Sequence, residues 1–97
     1  MPKAYWIVHV SVSDPETYDK YRAANAAPLA EFGARFVVRG GAQTLCEGNI
    51  RPRTVVLEFP SLAAAAACYN SPGYRAALTL REAASEADFC IVEGWDE

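Results

Sequence analysis

Residues 5–12, YWIVHVSV, are β-branched and aromatic with two alternating sets of side chains, and they run into Asp14-Pro15. A strand is predicted there, feeding a helix. Asp14 is suited to cap that helix because its carboxylate accepts from the free N–H groups of the first turn, and Pro15 suits the first position because its missing N–H is not needed. Within DPETYDKYRAANAAPLAEFG, Tyr18, Tyr21, Asn25, Leu29 and Phe32 recur every three or four residues and make one inward stripe. Gly33 stops this helix and Pro28 bends or divides it.

The next strand is ARFVVR, 34–39. After Gly40 and Gly41, QTLCE is expected to continue it, so that the glycine pair re-aims one long edge strand. GNIRPR turns the chain, and TVVLEF at 54–59 returns as the hairpin partner, ended by Pro60. Ser61 caps an alanine-rich helix to about Tyr69, whose five consecutive alanines at 63–67 imply close packing. Ser71 and Pro72 start another helix, with Tyr74, Leu78 and Arg81 on one face. The closing strand is FCIVEGW, 89–95.

The order β-α-β-β-α-β, with right-handed crossovers, predicts an α+β fold: a ferredoxin-like antiparallel sheet with its helices on one face, in a single domain spanning 1–97. Alternation then divides each strand between helix face and open face. Trp6, Val8, Val10 and Val12 are assigned to the core, with Phe36, Val38, Val55, Leu57, Phe59, Cys90 and Val92. The open face is assigned Tyr5, Ile7, His9, Val37, Arg39, Val56, Glu58, Phe89, Ile91, Glu93 and Trp95. That mixture is too apolar to leave in water, and a homodimer packed through it is expected.

Composition adds limits. The 97 residues carry nine basic and twelve acidic side chains, net charge -3, with no basic run to track phosphates, so nucleic acid is not an expected partner. Seven of the nine cations are arginine, favouring specific planar contacts. Eighteen residues are alanine, so the 52% hydrophobic content overstates the core. Cys46, Cys68 and Cys90 are odd in number and far apart, arguing against a disulfide framework or a zinc site and for a reducing compartment; all three sit on apolar stretches and are expected to be inert and buried. No signal peptide or apolar run of membrane-spanning length is present, which points to a soluble cytoplasmic protein with no membrane partner.

YWIVHVSVSDPETYDKYR, FVVRGGAQTLCEG, RPRTVVLEFPS, YNSPGYRAALTLR and the closing VEGW together resemble, over nearly the whole chain, the bacterial domain-of-unknown-function family thirteen-thirty. The resemblance implies a dimeric α+β barrel, in which two sheets face each other, and no established reaction. Tyr21, Arg39, Gly40, Gly41, Glu47, Gly48, Pro60, Ser71, Pro72, Tyr74 and Arg81 match its motifs; His9 does not.

The candidate ligand-binding residues are His9, Arg39, Glu58, Tyr21, Tyr74 and Arg81. Arg39 beside the bend suits a carboxylate, or an ion pair with Glu58 or Glu93. His9 and Glu58 on neighbouring strands can form a base with its orienting carboxylate, or a satisfied interface histidine. Arg81 can reach a pocket between the last helix and the sheet, or close a helix end against an acid such as Glu47. The tyrosines can frame an aromatic ligand or serve packing alone. No metal or cofactor is called for. These features predict a homodimer binding a small organic acid or aromatic molecule beside the sheet; a cofactor-independent monooxygenase or isomerase, and a structural or stress-associated protein without ligand, are the alternatives.

Overall fold

The computed structural model describes residues 2–96; Met1 and Glu97, the ends of the expected 1–97 domain, lie outside the described residues. The chain runs β1 (Ala4–Val12), α1 (Pro15–Ala24), α2 (Ala26–Glu31), β2 (Arg35–Arg39), β3 (Arg53–Phe59), α3 (Leu62–Tyr69), α4 (Pro72–Ala84) and β4 (Ser85–Glu93). The strands form one antiparallel sheet in the order β2-β3-β1-β4, the ferredoxin-like arrangement.

The helix signals act as expected. Asp14, Ser61 and Ser71 each accept from a backbone N–H of the first turn, at Thr17, Ala64 and Tyr74 respectively. The first helical segment divides at Asn25, between α1 and α2. Pro28 accounts for the break, since its ring crowds the carbonyl of Ala24 four residues earlier. Gly33, at φ 74°, ends α2 while Ala34 N–H donates to Leu29 O.

The core lies between helices and sheet and is organised around Trp6, 1% exposed. Its ring centroid is 4.8 Å from Phe59, 4.8 Å from Tyr74 and 5.0 Å from Phe89. Its indole Nε1–H donates to Ala65 O at 3.0 Å, an approach that the alanine-rich face of α3 permits.

Both central strands present the faces expected of them: Ala4, Trp6, Val8 and Val10 of β1, and Val55, Leu57 and Phe59 of β3, are buried under the helices. The edge strands differ from expectation. QTLCE forms no strand; β2 ends at Arg39 and residues 41–52 are a loop with Leu45 and Ile50 exposed. The irregularity lies within β2, before the glycines: Phe36 pairs with Leu57, but Val38 pairs with Val56 and Arg39 with Val55. This bulge exchanges the faces of everything after it. Val38 therefore stands on the open face and Arg39 on the helix side.

β4 starts at Ser85, four residues earlier than expected, with Phe89 opposite Val8 and Ile91 opposite Trp6. Phe89 and Ile91 consequently pack against the core and Cys90 and Val92 face outward, the reverse of the sequence assignment. Glu93 is aligned with Ala4, and Trp95 lies beyond the strand and is almost fully exposed. The open face is thus Tyr5, Ile7, His9, Val38, Thr54, Val56, Glu58, Cys90 and Val92.

Candidate functional site

A cleft opens between α1, the start of α2, α4 and the helix-covered side of β1, β3 and β2. Its apolar walls include Trp6, Tyr18, Leu29, Phe36 and Leu57; its polar lining is Tyr21, Asn25 and four arginines, Arg22, Arg39, Arg53 and Arg81. No carboxylate lines it. Arg22 is paired with Asp19 at 3.4 Å, whereas Arg39, Arg53 and Arg81 make no ion pair among the described residues.

Helical spacing delivers Arg81. It follows Tyr74 and Leu78 on the inward face of α4 and is 8% exposed. Its guanidinium lies between aromatic rings, 6.0 Å from Tyr21 and 5.6 Å from Phe89, and its Nε has no hydrogen-bond partner. Ring faces offset part of the desolvation of a buried cation, but an unpartnered N–H still costs roughly 1–3 kcal/mol. Arg53 opens β3. Its Nε is also buried and unpartnered, and its guanidinium carbon is 5.5 Å from the Tyr18 ring.

Arg53 bears on the first of the two glycines only. A Cβ on Gly40 would collide with the Arg53 guanidinium, and Gly40 has φ 70°, while a Cβ on Gly41 would meet nothing within 4 Å. Gly40 therefore admits the guanidinium and turns the chain out of β2, its N–H making the last ladder bond to Thr54 O at 2.9 Å. The bulge, and not the glycine pair, aims Arg39, which stacks over Phe36 at 4.1 Å from ring centroid.

Tyr21 and Tyr74 join hydroxyl to hydroxyl at 2.8 Å beside Arg81. Burial raises the Tyr21 pKa, partly offset by its hydrogen bonds to Tyr74 and Asn25 and by the Arg81 charge. Burial likewise holds Tyr74 well above the ordinary tyrosine range, with Arg81 opposing. Both are neutral phenols at physiological pH. The free space at the centre of the cleft is about 20 Å³, a single water's worth, and the exposed Arg39 is part of its lining.

Four of the six candidate residues, Arg39, Tyr21, Tyr74 and Arg81, thus lie in or directly behind one cleft. His9 and Glu58 are on the opposite face of the sheet and do not meet. His9 is aligned with Thr54, and Glu58 with Tyr5. Thr54 Oγ1 donates to Gln43 Oε1 and so accepts from His9 Nδ1–H at 2.9 Å. His9 lines a shallow hollow with Ser11, Arg51 and Asp88. Glu58 is held by Lys3 at 3.2 Å and Arg35 at 3.3 Å, so neither it nor Glu93 pairs with Arg39, and Glu47, exposed in the 41–52 loop, does not pair with Arg81. Those contacts, Arg35 first, hold the Glu58 carboxyl below the usual glutamate range.

Of the lining residues, Arg53 is the principal one that the sequence does not mark, while Asn25 and Phe36 are marked there as inward-facing but not as ligand contacts. The alternation of TVVLEF extended one residue back puts Arg53 in the set of Val55 and Leu57, a signal that marks an arginine on a core face. Of the cysteines, Cys68 alone is buried, its thiol pushed up to about 11 by burial, while Cys46 and Cys90 are exposed. Among the described residues no group of three or more His, Cys, Asp or Glu is placed to hold a metal ion, and no helix is long and apolar enough to cross a membrane.

The fold is shared with solved structures of low sequence identity. A protein of unknown function from Rhodopseudomonas palustris is similar with a TM-score of 0.80 at 18% identity, over 99% of this chain and 85% of that one. A dimeric ferredoxin-like protein of unknown function from Thermobifida fusca gives 0.64 at 18% identity, over 95% and 91%. SnoaB, a cofactor-independent oxygenase from Streptomyces nogalater, gives 0.64 at 15% identity, over 100% and 97%. No curated protein matches the sequence. The domain of unknown function DUF1330 matches residues 3–95, nearly the whole chain, and the protein belongs to that family.

Proposed function

We propose that this chain forms a homodimer through its open sheet face and binds a small organic acid, preferably aromatic, in the arginine-lined cleft of each subunit. The observation that carries the binding reading is the pair of buried, unpartnered Nε groups of Arg53 and Arg81 in a cleft with aromatic walls and no carboxylate. A ligand carboxylate would supply the missing acceptors, since a guanidinium forms charge-assisted, often bidentate bonds to a planar carboxylate. The ring would replace the Arg39 guanidinium over Phe36, with Arg39 swinging outward to admit it. Exposed cysteines Cys46 and Cys90 support a reducing, cytoplasmic setting.

Dimerisation is supported by the apolar content of the uncovered face, where Val38 and Val92 are 38% and 43% exposed, and by the dimeric neighbour from Thermobifida fusca. Val56→Glu, at the centre of that face, is expected to convert the dimer to monomer by light scattering. A mutant that stayed dimeric would move the interface elsewhere.

Thermal unfolding with benzoate, phenylacetate and salicylate tests the cleft. Binding at one hundred times Kd stabilises by about 2.7 kcal/mol, and a clear rise in Tm is expected that Arg53→Ala reduces. No rise with any acid overturns the reading. The likeness to SnoaB favours a second one, an oxygenase acting without cofactor, which oxygen consumption with an aromatic substrate would reveal. Isomerisation by proton transfer is disfavoured because the cleft lining contains no Asp, Glu, His or Lys to act as base.

A further inference from the structure

The protonation state of the bound molecule follows from the charges that face the cleft. α1 presents Tyr18, Tyr21 and Arg22, and Arg22 is matched by Asp19. β2 presents Arg39, β3 presents Arg53, and α4 presents Arg81 with Tyr74 behind Tyr21. These groups are fixed cations or phenols. Tyr21 and Tyr74 are kept neutral by burial, so their shared proton chain can donate outward to an oxyanion. Nothing in the lining can take up a proton near neutrality, and nothing negative opposes a bound anion.

We propose that the cleft takes phenols and enols as their oxyanions, held by the guanidinium groups of Arg53 and Arg81 and the Tyr21 hydroxyl, so that a phenol bound there is more acidic than in water. The proton leaves to bulk solvent, and the cleft supplies only the preference for the anion. The physical basis is the same as for any acid beside a cation: a positive charge within about 4–6 Å lowers an acidic pKa by roughly 1–3 units, and a low-dielectric wall strengthens the effect. The proposal rests on the acid-binding reading above and deepens it, because a carboxylate is already ionised and does not reveal whether the site selects charge on a weaker acid.

The test uses 4-nitrophenol, whose anion is yellow and whose neutral form is colourless. In excess protein its apparent pKa is expected to fall by about one unit or more, which corresponds to about tenfold tighter binding of the anion. Arg53→Gln and, separately, Arg81→Gln are expected to shrink that shift, and circular dichroism checks that each variant is folded. Arg53 is less buried than Arg81, so its substitution keeps the test available if the Arg81 variant unfolds. Nitrophenol that binds with an unchanged or raised pKa overturns the proposal, as does a shift that survives both substitutions. Benzoate separates the two readings by calorimetry. If benzoate binds while nitrophenol shows no shift or no binding, only the oxyanion proposal falls; if neither binds, the acid-binding reading falls with it.

Discussion

The two faces of the sheet treat charge in opposite ways. On the open face each cation has an acid beside it: Lys3 and Arg35 hold Glu58, and Arg51 holds Asp88 at 2.9 Å and Glu86 at 3.4 Å. On the helix face Arg39, Arg53 and Arg81 stand among aromatic rings with no acid. Cations paired within the subunit let the open face meet another apolar surface without leaving a charge stranded. Buried unpaired cations, by contrast, are a standing cost to the folded chain, one that a bound anion would remove.

The largest expected effect tests how much of the helix face is structural. Trp6→Ala removes the ring at the centre of the aromatic cluster and is expected to destabilise by about 3–5 kcal/mol in urea unfolding. A loss under about 1 kcal/mol would place the core elsewhere. The charge contrast itself is next. Arg81→Met replaces a buried cation with an unmet N–H by an apolar chain of similar length, so the ligand-free protein is expected to gain about 1–2 kcal/mol, while Arg35→Met on the open face loses at most about 1 kcal/mol. Equal effects at both positions would erase the distinction between the faces.

A smaller effect separates the adjacent glycines. Gly40→Ala combines a positive φ with displacement of the Arg53 guanidinium and is expected to cost about 1–2 kcal/mol, whereas Gly41→Ala stays within about 0.5 kcal/mol. The smallest effect is on the open face and appears only in acid. The folded-state pKa of Glu58 is depressed below the ordinary 4.5 by Arg35 and Lys3. Its contribution is therefore fully present above that value and is lost as pH falls through the lower, folded one. Glu58→Gln is expected to flatten this part of the acid limb of the stability profile; an identical limb would mean that the two ion pairs contribute nothing.

The cleft was partly legible before the fold was known. Tyr21, Tyr74 and Arg81 are set by helical spacing, which fixes the face a residue presents whatever it packs against. Alternation without a bulge puts Arg39 on the other side of the sheet, and the strand pattern TVVLEF begins at Thr54 and so leaves Arg53 unmarked. Alternation puts His9 and Glu58 on the open face, where the structure has them, yet the β1–β3 register aligns them with Thr54 and Tyr5 and keeps them apart.

Sequence alone determined the order of the elements, their caps, the break before Pro28 and the faces of β1 and β3. Those two strands are flanked on both sides, and their strict alternation leaves one register that buries Trp6, Val8, Val10, Val55, Leu57 and Phe59 together. Tertiary structure decided the edges, β2 and β4, where a mixed pattern tolerates more than one register. A bulge in β2, and in β4 a register that sets Phe89 opposite Val8, exchanged the faces of Val38, Arg39, Phe89 and Cys90. The reason is the two-residue period of a strand: one inserted residue turns every later side chain over, and here it carried Arg39 from the open face to the cleft.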